Sequence, residues 1–475
     1  MLRMSCLVLI AALGAIAAPA VAANARIATD GMLVVNGERT FVLGLYENPD
    51  DDAALAQVAN AGFNLVRASE SKEALDRLHD AGLFAWINTG ERIELAEGEA
   101  EGQTRLAAMV DAWAQHPALL VWEVPDEALW NCWYRAIQWR HTYEPAQLRG
   151  HIAALDDATL AEELGAALVE SARLRNRGDI AESEEMADAV WRKLGKESPK
   201  PDLNISNAPE RAARLCERMI LGYETLRTTD PAHPVWMNHA PRNTIAQLAA
   251  FNRGADIVGC DIYPAPAYRG GHSDLADRSL ASVGAYTDRM QAAAPGKPVW
   301  MVLQGFGWAD LSDNPDEEAR ARGRRPTFEE SRFMAYDALV HGARGILYWG
   351  TYRIEKDSQL RKDLMALVRE LAELGEVLAA PDASVTATVM LAEAAGSLDR
   401  GVRVLGKELD GRVWWLVVNE YQDPLNYTLE GLDALDGIVY HDEKAERSTV
   451  VRDGSLSCTI RGHGIQVLAP SNADM

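Results

Sequence analysis

Eight short apolar runs recur between Thr40 and Thr351, and they restrict the fold of the chain more than any other feature. They read TFVLGLY, FNLVRAS, LFAWINT, ALLVWEV, PVWMNH, DIVGCDIY, PVWMVLQ and GILYWGT. Most are continuously apolar, as strands buried on both faces must be. Amphipathic stretches such as DDAALAQVANAG and SKEALDRLHDAG separate several of them. There Ala, Leu and Val return at three-to-four spacing and a glycine closes the segment, which predicts helices. Eight strand–helix units in series predict the α/β class and a closed (β/α)8 TIM barrel. An open doubly wound sheet is the runner-up. It would carry a phosphate-binding glycine loop after its first strand, and GLYENP is not one.

Three regions depart from the repeat. Two turn signals, TDGM and VNGE, predict a short hairpin ahead of the first barrel strand. The connection between the fourth and fifth strands runs from 128 to 232, too long for an ordinary crossover. Within it 157–196 is rich in Ala, Leu, Glu and Arg and reads as a helical hairpin. That makes the insertion a lid or rim, or a purely decorative or oligomer-forming piece. From about 384 the pattern becomes short alternating segments with Asp410-Gly411 and Asp453-Gly454 turns, which predicts a C-terminal antiparallel β-sandwich packed on the barrel. The expected division is a leader over 1–22, the barrel over 23–380 with its 128–232 insertion, and the sandwich over 381–475.

The leader carries Arg3, an apolar core over 7–18 and an Ala20-Val21-Ala22 cleavage site, so a secreted or periplasmic protein is expected. No other apolar run is long enough for a span, and no membrane association is expected after cleavage. The formal net charge of −23 argues against a nucleic-acid partner and against attraction to anionic membranes. Of the remaining cysteines, Cys132 and Cys216 flank the insertion and make the best candidate disulfide. Cys260, in an apolar strand, reads as a buried thiol. C-x-x-C, H-x-H, H-E-x-x-H and G-x-S-x-G are all absent, so neither a metal nor a cofactor is expected.

Barrel enzymes carry their chemistry at the C-terminal strand ends. In order, these ends offer Tyr46 and Glu47, Arg67 and Glu70, Trp86 and Asn88, Asp126 and Glu127, Asn238 and His239, Asp261 and Tyr263, Gln304, and Trp349. Carboxylates and amides suit sugar hydroxyls, and aromatic faces suit the C–H faces of sugar rings. A carbohydrate is therefore the expected ligand, with Tyr46, Arg67, Trp86, Asn238, His239, Tyr263, Gln304 and Trp349 as contacts. Glycosidic cleavage needs a proton donor for the leaving oxygen. Glu127 fits that role, because the neighbouring Asp126 would raise its pKa. Glu123 reads as a supporting group; a helix cap or ion pair is the plainer reading of Asp126 and Glu127.

The order of these pieces resembles the clan of (β/α)8 retaining glycoside hydrolases that includes cellulases and β-galactosidases. The resemblance covers roughly 32–380 and rests on NGERTFVLGLY, HPALLVWEVPDEA, DIVGCDIYP, KPVWMVLQGFGW and ALVHGARGILYWG. It implies that Asp126-Glu127-Ala128 stands where that clan has Asn-Glu-Pro, and that Trp349 is a sugar platform. The clan's nucleophilic glutamate would fall at Gln304, and an amide cannot form a glycosyl ester. Three readings follow. Asp261 or Glu47 serves as the base of an inverting enzyme; or the substrate supplies its own nucleophile, with Asp126 holding a 2-acetamido group; or the barrel binds sugar without cleaving it.

Overall fold

The computed structural model describes residues 22–266, 277–392, 400–442 and 446–471. The expected leader falls outside them apart from Ala22. Eight parallel strands form the barrel: Val42–Leu45, Leu65–Ala68, Phe84–Asn88, Leu119–Glu123, Val235–His239, Ile257–Asp261, Val299–Gln304 and Gly345–Trp349. The eighth closes on the first, with Gly345 opposite Val42 and Tyr348 opposite Leu45. A three-stranded antiparallel ribbon, Ala25–Ile27, Leu33–Val35 and Glu38–Thr40, precedes the first strand, one strand more than the expected hairpin.

Large aromatic rings fill the barrel. Tyr46 meets Trp86 at 5.1 Å between centroids, Trp86 meets Trp236 at 5.6 Å, and Trp236 meets Trp300 at 5.6 Å, mostly edge to face. Rings of this size fit only where facing positions give up their side chains. A Cβ on Gly345 would lie 2.8 Å from the Trp300 ring, and one on Gly259 would lie 2.5 Å from the Trp300 carbonyl oxygen.

The insertion after the fourth strand is helical: Ala128–Gln138, a π-helical turn over Trp139–Tyr143, Glu144–Ala153, Ala158–Arg177, Ile180–Lys193 and Ala208–Thr229. The expected hairpin corresponds to the pair starting at Ala158 and Ile180. It has its own small core of Leu148, Leu164, Ala187, Val190 and Trp191. Buried Arg140 bonds Glu144 at 2.8 Å and Asp188 at 2.9 Å, joining the hairpin to the preceding helix. Cys132 and Cys216 lie buried on helices that pack together, but both are free thiols, and Cys132 Sγ donates to the Ala128 carbonyl at 3.5 Å. The candidate disulfide is therefore not formed: flanking one insertion in sequence does not bring two sulfurs into bonding geometry.

The C-terminal region is a β-sandwich. A three-stranded sheet of Thr388–Leu391, Leu425–Glu430 and Ser455–Ile460 faces a five-stranded sheet of Val402–Leu409, Arg412–Asn419, Ile465–Pro470, Val439–Asp442 and Arg447–Val450. Trp415, Tyr427, Leu429 and Leu456 form its core, while Leu416, Val418 and Ile465 on the five-stranded sheet join the barrel's core. Among the described residues no helix is long and apolar enough to cross a membrane.

Gly259→Ala should destabilise the chain by about 1–3 kcal/mol or more, because the clashing atom is backbone and cannot rotate away. Chemical denaturation followed by tryptophan fluorescence measures this; an unchanged midpoint would overturn the packing argument.

Candidate active site

The fourth strand ends at Glu123, and Pro125, lacking an N–H, stops it two residues later. Glu127 then adopts φ 51° and ψ 31°, the left-handed region that non-glycine residues seldom occupy. Two bonds hold it there. Its N–H donates to the Asn238 carbonyl at 3.2 Å, and its carbonyl accepts from Asn131 N at 2.9 Å, starting the helix Ala128–Gln138. The sharp turn brings both Asp126 and Glu127 to the wall of a cleft of about 340 Å³ at the C-terminal mouth of the barrel.

Three carboxyl groups meet on that wall. Asn238, at the end of the fifth strand, donates through one Nδ2 to Asp126 Oδ1 at 2.9 Å and to Asp261 Oδ1. Glu127 and Asp261 are hydrogen bonded to each other. Burial, then the Asp126 charge, raises Glu127 to about 6, and the bond from Asp261 and the Arg242 charge pull the other way. Burial, then the charges of Glu127 and Asp126, holds Asp261 well above the usual carboxylate range. Asp126 is also raised by burial, with Asn238 and Arg67 opposing the rise. Three clustered acids cannot all ionise in a site withdrawn from water, so the group retains protons near neutrality.

Beneath them Glu123 is fully buried, and burial followed by the Asp126 charge raises it to about 8. Asn88 Nδ2 donates to it at 2.7 Å, and Arg67 Nε lies 3.9 Å away. The buried Tyr46 hydroxyl faces the charges of Asp126, Glu123 and Asp261, which raise its pKa after burial does. Aromatic rings line the same cleft. Tyr263 stacks on Trp349 at 5.7 Å and 18°, and Phe306 and Trp308 pack edge-on beside them. Burial, then the charges of Asp261, Glu127 and Asp126, raises the Tyr263 hydroxyl well above its ordinary value.

The structure therefore gathers Asp126, Glu127, Asn238, Asp261, Tyr263 and Trp349 at one cleft, with Tyr46 and Arg67 next to its carboxyl groups. Four expected site residues lie elsewhere. Trp86 is wholly buried in the barrel's aromatic core, so it has no face for a sugar. His239 points away from the mouth and bonds Asn252 Oδ1 at 2.8 Å, and burial lowers it to about 4. Gln304 is spent on backbone: it donates to the Ala265 and Phe306 carbonyls and accepts from Ala265 N at 3.0 Å. Its amide braces the two loops that carry the aromatic wall. Glu47 pairs with buried Arg361 at 2.7 Å. Asp261, expected as a base with a wider gap to Glu127, instead interacts with it directly through a side-chain hydrogen bond.

Several lining residues were not singled out from the sequence. Trp130 and Tyr134 stack at 5.8 Å on the helix that Glu127 starts, and the Arg242 guanidinium lies 4.2 Å over Trp130. The only signal available was spacing, since 127, 130 and 134 share one helical face. Among the described residues one group of His and acidic side chains has metal-ligand spacing, and it lies outside the cleft: Asp337, His341 and Glu420.

Known proteins resemble this chain in fold. A glycoside hydrolase family 5 structure from Bacteroides vulgatus aligns over 95% of this chain and 94% of its own, with 13% identity and a TM-score of 0.51. A β-galactosidase from Bacillus circulans sp. alkalophilus aligns over 91% of this chain and 99% of its own, with 10% identity and a TM-score of 0.50. A β-galactosidase from the psychrophilic Marinomonas ef1, 14% identical with a TM-score of 0.43, matches 70% of this chain, which spans only 60% of that protein. No protein-family model and no curated protein sequence matches the chain. At identities this low the likeness is one of fold: a TIM barrel with a C-terminal β-sandwich.

Glu123 and Glu127 are raised to about 8 and about 6 from an ordinary 4.5, so the folded chain holds protons that the unfolded chain has released. Their contribution to stability is full below about pH 4.5 and is lost as pH rises through about 6 and then about 8. Glu123→Gln should flatten the fall in Tm between about pH 5 and about pH 8.5, with the largest gain over wild type at the alkaline end. Parallel Tm–pH curves for the two proteins would count against a buried, protonated Glu123.

Proposed function

We propose that the chain is a glycoside hydrolase acting on a carbohydrate, with Glu127 as the proton donor to the leaving oxygen. The observation that carries this reading is a cleft lined by both carboxyl groups and aromatic rings. Its lining holds Glu127, raised to about 6, with Asp261 and Asp126, together with the Tyr263–Trp349 aromatic stack. A sugar ring lying on the stack would turn its glycosidic oxygen toward the carboxyl groups. Donation from Glu127 leaves a carboxylate that the Arg242 charge and the Asp261 bond stabilise. The fold shared with glycoside hydrolases is consistent with this chemistry. The leader motif supports a secreted or periplasmic site of action.

The contact between Glu127 and Asp261 favours the substrate-assisted form of the reaction over the inverting one. Among the described lining residues, the carboxyl groups form one cluster joined through Asn238 and the Glu127–Asp261 interaction. An inverting pair needs roughly 6.5–9.5 Å between its carboxyls and a retaining pair about 5–5.5 Å. A nucleophile carried by the substrate, such as a 2-acetamido oxygen oriented by Asp126, needs neither spacing. The rival reading is a barrel that binds sugar without cleaving it.

Glu127→Gln should lower kcat on a cleaved glycoside by about 10²–10⁴-fold while glycan binding persists. Unaltered hydrolysis would overturn the donor assignment. Binding by wild type without cleavage across a broad panel of glycosides would establish the rival reading. For wild type, kcat/KM should fall as pH rises above about 6, where Glu127 loses its proton. The first anomer released, read by proton NMR, should show retention; inversion would exclude substrate assistance.

A further inference from the structure

Behind the barrel, where the C-terminal sandwich docks, three ligand-type side chains converge without any part in the cleft. Asp337 and His341 stand one turn apart at the end of the helix Phe328–Val340, and Glu420 follows the strand Arg412–Asn419 of the sandwich. One ligand atom from each lies within 4.8 Å of the others, and all three residues are buried. His341 Nε2 is 3.0 Å from Glu420 Oε1 and 3.9 Å from Asp337 Oδ1. Two ligands around a tetrahedral ion at about 2.05 Å sit roughly 3.3 Å apart, a spacing these two distances bracket.

Two further observations point to an ion. The other imidazole nitrogen, Nδ1, lies 2.8 Å from Asp288 Oδ1 on the helix Ser282–Ala293. A carboxylate behind a histidine in this way fixes the tautomer that aims the Nε2 lone pair at a metal. Asp337 is also fully buried, and only its Oδ2 is satisfied, by Gly284 N at 2.7 Å. Oδ1, which faces His341 and Glu420, has no hydrogen-bond partner. A stranded carboxylate oxygen in a dry interior is costly. A proton on Nε2 would serve Glu420 but leave Oδ1 stranded at 3.9 Å, whereas an ion can serve all three. Arg403 Nε, 3.2 Å from Glu420 Oε2, and Arg400 Nη1, 3.8 Å from Oε1, offset part of the acidic charge.

We propose that Asp337, His341 and Glu420 form a binding site for a Zn²⁺-type divalent transition ion that staples the C-terminal sandwich to the barrel. One imidazole nitrogen with two carboxylate oxygens suits zinc better than Mg²⁺ or Ca²⁺, which take all-oxygen sites. The ligands come from both sides of the docking surface, so the ion would stabilise the two parts as one unit. This site is independent of the carbohydrate reading of the cleft.

The test uses the full-length chain, stripped by dialysis against a chelator and titrated with Zn²⁺ alone by calorimetry. One ion per chain should bind and raise Tm. Asp337→Asn and His341→Gln should each weaken binding at least about tenfold, while His79→Gln, at an exposed histidine, should bind like wild type. Absence of saturable uptake, or uptake unchanged in both site variants, would overturn the proposal and leave an ion-pair junction only. Zinc-edge X-ray absorption on wild type tests the same claim without variants. A single imidazole with oxygen neighbours supports it; sulfur ligation or several imidazoles would overturn it.

Discussion

A barrel of eight short strands has to fill its own interior, and here that demand governs the rest of the molecule. Tyr46, Trp86, Trp236 and Trp300 fill it with rings packed mostly edge to face, and Gly259 and Gly345 give up their side chains to admit them. The pairing of Gly345–Tyr348 with Val42–Leu45 closes the barrel around them. Asn238 can bridge Asp126 and Asp261 only because the fourth, fifth and sixth strands are held in one register across the mouth.

Desolvation is the second constraint, and it follows from the first. The packed interior withdraws Glu123 and Asp261 from water, while Asp126 and Glu127 stay half-buried at the cleft. Burial is the largest influence raising Glu123, Asp126, Glu127 and Asp261 alike. Such a cluster costs stability near neutral pH. The left-handed backbone at Glu127 is a further local cost at the same place.

Much of this architecture was legible in the chain. Both-face burial makes strands read as unbroken apolar runs, so all eight were visible, as were the helical hairpin and the sandwich. The site was legible to the extent that it lies at strand ends: Asp126, Glu127, Asn238, Asp261, Tyr263 and Trp349 line the cleft or bond its carboxyls. The residues misjudged were those for which direction matters more than position. Along a strand, side chains alternate between interior and exterior, and a loop or a partner can capture the last one. Gln304 is captured by Ala265 and Phe306, Glu47 by Arg361, His239 by Asn252, and Trp86 turns inward to the core.

The sequence by itself determined the barrel, the helical insertion, the sandwich and the crowding of acids after the fourth strand. These follow from local periodicity and from which residues tolerate burial, both written along the chain. Only the tertiary structure decided which acids touch, which cysteines stay apart, and that Trp130, Tyr134 and Arg242 wall the cleft. It alone brought Glu420 to Asp337 and His341 from about eighty residues away in the chain. Contacts of that kind depend on side-chain direction and on distances between segments remote in sequence, which the order of residues does not encode one position at a time.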